Sequence, residues 1–241
     1  RMWPRSKAGI PMGWCRACGY KWFPKSDVKP NPERIEQWRL EQLATEQKNL
    51  AETEQAIKIL TDEHRWKYYY ETLDREDAAK DAWVATGITY PIYWFNWLLG
   101  YDHAHRFWYD SGEGWKEHVT DTMTIPVRNL EGCVINIKHK LITPQPDGTK
   151  YRMEYRTHTE PLFIANIEDD KPQYTSTLIL IEGEKKAGVV YQTLDMDIQV
   201  VGLPKNPSIA MLEGLAEKCK RVFQIIDPDI ANDDLQRHKE V

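Results

Sequence analysis

Three carboxylates at the ends of two apolar runs carry the clearest chemistry in this chain. Leu178-Ile-Leu-Ile stops at Glu182, within Glu182-Gly-Glu-Lys-Lys-Ala187, and Val222-Phe-Gln-Ile-Ile stops at Asp227-Pro-Asp229. An apolar run that ends abruptly in acids reads as a buried parallel strand whose carboxyl end opens on a ligand crevice. Asp227 and Asp229 are two residues apart, so strand geometry projects them to one side, and Glu182 arrives from a neighbouring strand. Three rigidly held oxygens suit Mg²⁺, or Mn²⁺ in its place, which keeps part of its water shell and completes its octahedron with substrate phosphate. The alternative reading is a set of solvated loop acids after core strands.

A second group of metal-ligating residues lies near the amino terminus, where Trp14-Cys15-Arg-Ala-Cys18-Gly19 forms a C-x2-C-G knuckle. Two thiolates on such a turn bind one Zn²⁺, but a structural zinc takes four ligands. The other ligands lie upstream of Arg1 or include a distant residue such as His64. A redox pair is the competing reading, although nothing nearby resembles a thioredoxin βαβ unit. Cys133 and Cys219 are isolated and read as small buried residues. His103-Ala-His105 is a weak chelating pattern in an expected loop.

Charge is unevenly distributed. The 241 residues carry 32 Lys and Arg against 37 Asp and Glu, a net charge of -5, which excludes a globally basic nucleic-acid binder. Between Ile125 and Arg156, however, Arg128, Lys138, Lys140, Lys150, Arg152 and Arg156 face only Glu131, Asp147 and Glu154. From Glu160 onward fifteen acids face nine bases. A basic strip beside an acidic metal site is the polarity a phosphate-handling enzyme needs, although such a strip can also be ordinary surface charge. No apolar stretch approaches the roughly twenty residues needed to span a bilayer and no signal-peptide pattern opens the chain, so a cytoplasmic location is expected.

The elements that must position these residues follow from pattern. Asn31-Pro-Glu-Arg opens a helix that runs to about Leu60, with Leu43, Leu50 and Ile57 seven apart. A second helical block spans Asp62 to Thr86, and Gly87 closes it in a left-handed conformation. Tyr90 to Leu99 reads as a short helix, apolar on nearly all sides and therefore buried. The aromatic clusters at Trp66 to Tyr70, Tyr90 to Trp97 and Phe107 to Tyr109 serve as core or as stacking platforms for single-stranded bases. A hairpin follows, with a turn near Asn129 to Gly132; on its second strand Ile135, Ile137 and Leu141 face one way, Asn136, Lys138 and Lys140 the other. Pro144-Gln-Pro-Asp-Gly148 is a further turn. Strand, Glu-Gly turn, helix (Lys185 to Leu194), strand (Ile198 to Gly202), helix (Ser208 to Cys219) and strand complete the order.

This last succession resembles the toprim fold shared by bacterial-type primases, topoisomerases and some nucleases. Taken with the Cys knuckle, Ala82-Trp-Val-Ala-Thr-Gly87-Ile88, Trp97-Leu-Leu-Gly-Tyr101, Ile125-Pro-Val-Arg-Asn-Leu-Glu-Gly132 and Lys150-Tyr151, the whole chain resembles a DnaG-type primase of bacteria or phages. The resemblance implies a partial zinc-binding knuckle at residues 1–30, a helical block at 31–122, a basic β-hairpin region of the polymerase module at 123–172 and a truncated toprim domain at 173–241. The fold class implied is an α+β amino-terminal subdomain followed by an α/β toprim domain, a parallel sheet with helices on both faces. The activity implied is DNA-directed RNA polymerase activity of primase type, with ribonucleoside triphosphates as substrates, single-stranded DNA as template and a replicative helicase as partner. Glu182, Asp227 and Asp229 would hold catalytic Mg²⁺, Cys15 and Cys18 Zn²⁺, and Arg128, Lys138, Lys140, Lys150, Arg152 and Arg156 would guide DNA. Two departures stand out. Lys186 occupies a position where the family usually has an acid, a form closer to toprim domains of phages and mobile elements, and a downstream acidic motif is absent. A toprim nuclease or topoisomerase-like enzyme, and a non-catalytic DNA-binding replisome module, are the alternatives.

Overall fold

The computed structural model describes residues 2–3, 12–14, 21–22, 32–168, 171–194, 198–205 and 207–225. The chain divides into two units, residues 1–47 and 48–241. In the first, β1 (Met2–Trp3), β2 (Met12–Trp14) and β3 (Lys21–Trp22) pair antiparallel in that order, and α1 (Pro32–Glu63) begins. Cys15, Cys18 and Asn31 lie outside the described residues.

In the second unit α2 (Arg65–Arg75), α3 (Asp77–Val84) and α4 (Pro91–Asn96) follow α1. The breaks have local causes: His64 sits at φ 48° between α1 and α2, Glu76 is extended between α2 and α3, and Gly87 takes φ 93° after α3. The helices end at Asn96, well before residue 122. Residues 100–128 form a long hairpin instead, β4 (Gly100–Asp110) with β5 (Trp115–Arg128), built from aromatic and β-branched residues that suit a pleated surface. Its period of two is broken by a register shift between Asp102 and His105, with Ala104 at φ 50°, which hides the strand from pattern reading. β5 turns at Asn129 to Cys133 into β6 (Val134–Leu141), and β7 (Tyr151–Met153) completes an antiparallel sheet of order β4-β5-β6-β7. Cys133 is exposed on that turn rather than buried.

Two short strands, β9 (Ile167–Glu168) and β10 (Lys171–Pro172), form a small hairpin. The second large sheet contains β8 (Phe163–Ile164), β11 (Thr177–Glu182), β12 (Gln199–Leu203) and β13 (Arg221–Ile225) in the order β13-β11-β12-β8. β11 runs parallel to β12 and β13, whereas β8 is antiparallel to β12, so the sheet is mixed and not wholly parallel as the sequence implied. Two helices join the strands, α5 (Glu184–Thr193) and α6 (Ile209–Ala216), the latter capped by the Ser208 hydroxyl, which accepts from the Met211 amide at 3.1 Å.

Alternation along β11 sends its side chains to two different cores. Ile179 and Ile181 join Val200, Ala187, Trp83, Trp97, Met123 and Ile125, a cluster common to both sheets. Leu178 and Leu180 join Val201, Leu203, Met211 and Leu215 of α6. The buried tryptophans are tied by their indole N–H groups: Trp83 donates to Gly100 O at 3.0 Å, Trp94 to Ile88 O at 3.1 Å and Trp97 to Ala165 O at 2.7 Å. Core packing is thus the role of these three. α4 is not buried on all sides, because Ile92 and Phe95 are exposed, and β13, at the sheet edge, exposes Val222, Phe223 and Ile225.

Gly202 on β12 sits where a Cβ would lie 3.0 Å from Gly183 O, 3.1 Å from Glu184 Cα and 3.1 Å from Phe163 Cβ. Backbone cannot yield as a side-chain tip can. Gly202→Ala is expected to destabilise the fold by about 1–3 kcal/mol, measured as a lowered urea midpoint.

Candidate functional site

β11 ends at Glu182, paired with Leu203 of β12, and the chain turns sharply at Gly183, whose φ of 90° favours glycine, into α5. The turn leaves Glu182 on the wall of a cleft of about 690 Å³. Lys138 and Tyr151 of the other sheet, Glu184, Lys185 and Lys186 of α5, and Lys205 after β12 also line it. β13 runs parallel beside β11 with Ile225 opposite Ile181, but Asp227 and Asp229 lie outside the described residues.

The cleft's charges are not loose. Lys138 Nζ lies 2.5 Å from Glu184 Oε1, and Glu184 is only 7% exposed. The same ammonium sits 4.8 Å from the centre of the Tyr151 ring. Glu184 stands in the first turn of α5, where the helix dipole favours a carboxylate. Burial, followed by the nearby positive charge of Lys140, lowers Lys185 below the ordinary lysine range, and burial raises Tyr151. Lys138, Lys185, Lys186 and Lys205 thus share the described wall of the cleft with two carboxylates, Glu182 and Glu184, and Lys140 stands close enough to Lys185 to act on it, an excess of positive charge suited to a polyphosphate.

The basic strip divides. On β6 and β7, Lys138, Lys140 and Tyr151 share a face, because Lys140 pairs with Tyr151 and Lys138 with Met153. Lys150 is exposed just ahead of β7 and Arg156 is exposed beyond it. Arg152 pairs with His139, so it faces the opposite side, where it bonds the Gln145 amide oxygen. Arg128 does not belong to the strip as the sequence implied: it is 3% exposed, and its guanidinium donates to Gly132 O at 2.7 Å, closing the β5–β6 turn. A buried guanidinium committed to backbone is no phosphate ligand. The expectation that Asn136 shares an open face with the lysines also fails, since Asn136 is buried and donates to Tyr155 O at 2.7 Å.

Sequence reading missed Glu184, Lys185 and Lys205. The signal was present in Glu182-Gly-Glu-Lys-Lys, where a helix beginning directly after a strand-end acid brings its own first turn to the same rim.

No family model matches this sequence, and no curated protein matches it. Solved structures do. The "Structure of the DnaG primase catalytic domain bound to ssDNA" aligns with a TM-score of 0.54 at 14% identity, over 76% of this chain and 65% of that one. The "Structure of the DnaG catalytic core" aligns at 0.53 and 14%, over 78% and 65%. The Aquifex aeolicus primase, zinc-binding and RNA polymerase domains, aligns at 0.52 and 15%, over 74% and 48%. The fold is that of the DnaG primase catalytic core. The chain spans about half to two thirds of the length of these solved structures.

Within this DnaG-like core the Lys138–Glu184 pair joins a partly buried ammonium to a buried carboxylate, with side-chain exposures of 20% and 8%. Lys138→Met, which strands Glu184, is expected to cost about 3 kcal/mol. Adding Glu184→Gln should restore most of that loss, a coupling read from a double-mutant cycle in urea.

Proposed function

We propose that this chain is the catalytic part of a DNA primase, joining ribonucleotides on a single-stranded template by metal-dependent phosphoryl transfer. The observation that carries the reading is Glu182 at the carboxyl end of β11, in a lysine-rich cleft, within a DnaG-type core. The domain plan proposed is a zinc knuckle in residues 1–30, an amino-terminal polymerase subdomain of α and β elements, and a toprim domain from 173. Its strand-helix-strand-helix-strand order from β11 to β13 supports the last assignment. Cys15 and Cys18 would supply two zinc ligands.

Glu182, with Asp227 and Asp229, would hold Mg²⁺; an oxygen-only donor set at a strand end suits this hard cation. The ion would neutralise the charge that develops on the transferred phosphoryl group. Lys185, Lys186 and Lys205 hold a triphosphate against the rim of the cleft, the first two directed by the first turn of α5 and the third by the end of β12. Lys138, already committed to Glu184, shapes the wall more than it binds. Lys140 and Lys150, with Arg156 further along, are the remaining cations for the template backbone. Catalysis here is positioning and charge compensation, with little covalent chemistry asked of the protein. One structural neighbour is a primase catalytic domain bound to single-stranded DNA, which is proposed here as the template.

Glu182→Gln, and Asp227→Asn with Asp229→Asn, are expected to lower ribonucleotide incorporation on single-stranded DNA with Mg²⁺ or Mn²⁺ at least a hundredfold while circular dichroism stays unchanged. Undiminished synthesis would remove the carboxylates from the mechanism, and DNA cleavage in place of incorporation would assign the nuclease reading.

Lys140→Ala with Lys150→Ala should weaken single-strand binding about equally on every sequence, because phosphate contacts carry no base information. The log-log salt slope should flatten by roughly 0.7 per lost contact. A parental slope in this double variant would place the template elsewhere.

A further inference from the structure

On the far side of β6 from the cleft lies a second polar cluster, which primer synthesis as proposed does not use. His139, adjacent in sequence to Lys138, points the other way and is 0% exposed. The register shift in β4 turns Asp102 and His105, three residues apart, onto this same face, opposite Thr122 and Thr120. A regular strand would have sent them to opposite sides. The H-x-H pair does not chelate: His103 Nε2 lies 2.5 Å from Glu76 and its Nδ1 3.2 Å from Asp121, while His105 Nδ1 bonds Asp102.

Asp102, His105 and His139 each bring a ligand atom within 4.8 Å of the others. The two imidazole rings lie 4.0 Å apart, centre to centre, and Tyr69 and Phe107 close over them. His139 Nδ1 is 2.9 Å from the Thr122 hydroxyl, while Nε2 faces Glu154 Oε2 across a long 3.5 Å contact, and neither of those two atoms has a closer partner. A buried imidazole held by one short contact and one long one has bonding capacity to spare.

We propose that Asp102, His105 and His139 form a transition-metal site, best matched to Zn²⁺, that ties β4 to β6. Two imidazoles and one carboxylate are a borderline-soft donor set, right for zinc and wrong for Mg²⁺, which takes oxygens. Bonds of about 2.0–2.2 Å require the three ligands to draw together by roughly an ångström. The second shell is in place: whichever nitrogen of His139 binds, the other meets Thr122 Oγ1 or Glu154 Oε2, and Glu154 is held in turn by Arg65. A metal there would crosslink the bulged strand to the strand carrying Lys138.

The test uses the full chain with Cys15→Ser and Cys18→Ser, so that the knuckle contributes no thiolate. After loading with Zn²⁺ and removal of the excess by gel filtration, elemental analysis should find one retained equivalent. It should be lost in His105→Gln and in Asp102→Asn. X-ray absorption of the loaded parent, which requires no further substitution to fold, should show two imidazoles among nitrogen and oxygen ligands. No retained zinc, zinc retained equally in both variants, or a shell with fewer than two imidazoles would each overturn the proposal.

Discussion

The ion pair between Lys138 and Glu184 fixes how the two large sheets meet. β6 has no solvent face along most of its length: Ile135, Asn136, Ile137, His139 and Leu141 are all buried, so a lysine placed among them needs a fixed partner. Glu184 supplies it from the first turn of α5. That pairing sets the distance between the antiparallel sheet and the start of α5, and Gly202 allows β12 to approach the same turn. Glu182, two residues before Glu184, is thereby held at the rim where the sheets converge. The apolar cluster shared by both sheets supplies cohesion, but it lacks direction; the ion pair, with Trp97 donating to Ala165, gives the junction one geometry.

β5 shows the same economy in its alternation. Met123 and Ile125 face the shared core, and Thr120, Thr122 and Thr124 face the polar interior behind β6. That interior also takes Glu154, which Arg65 of α2 reaches, so the helix is docked by charge as well as by Leu73 and Tyr69. Two of the residues that appear as surface bases in the sequence, Arg128 and Arg152, are spent in this scaffold. Basic residues therefore count toward a binding face only after the backbone carbonyls and amides they serve have been subtracted.

The order of elements from β11 to β13 was legible because apolar runs, a Glu-Gly turn and helical periodicity leave little alternative. So were the β5–β6 turn, where Gly132 takes φ 91°, and the left-handed Gly87. The β4 strand was not legible: its bulge shifts the period of two midway, and the histidines and aspartates it carries look like loop residues. The antiparallel β8 is two residues long and is set by pairing with β12, a partner far along the chain. Of the site, Glu182 could be read locally, whereas the role of Glu184 depends on Lys138, forty-six positions away. Faces, too, escape a single-strand reading. Lys140 and Arg152 look equivalent until the register of β6 against β7 separates them.

Under the proposed reading, lysines stand beside the carboxylates of the cleft for a reason. A cation site needs clustered carboxylates, and clustered carboxylates repel a triphosphate until the metal is bound. Four lysines line the cleft with Glu182 and Glu184 and lessen that repulsion locally, whatever the rest of the surface carries. Lys185 is pushed below the ordinary lysine range by burial and then by Lys140, and an arriving phosphate would favour its charged form. The same logic gives Lys186 a place. Where the related pattern carries an acid, this rim carries a base, which shifts the balance of the cleft from holding cations toward holding phosphate.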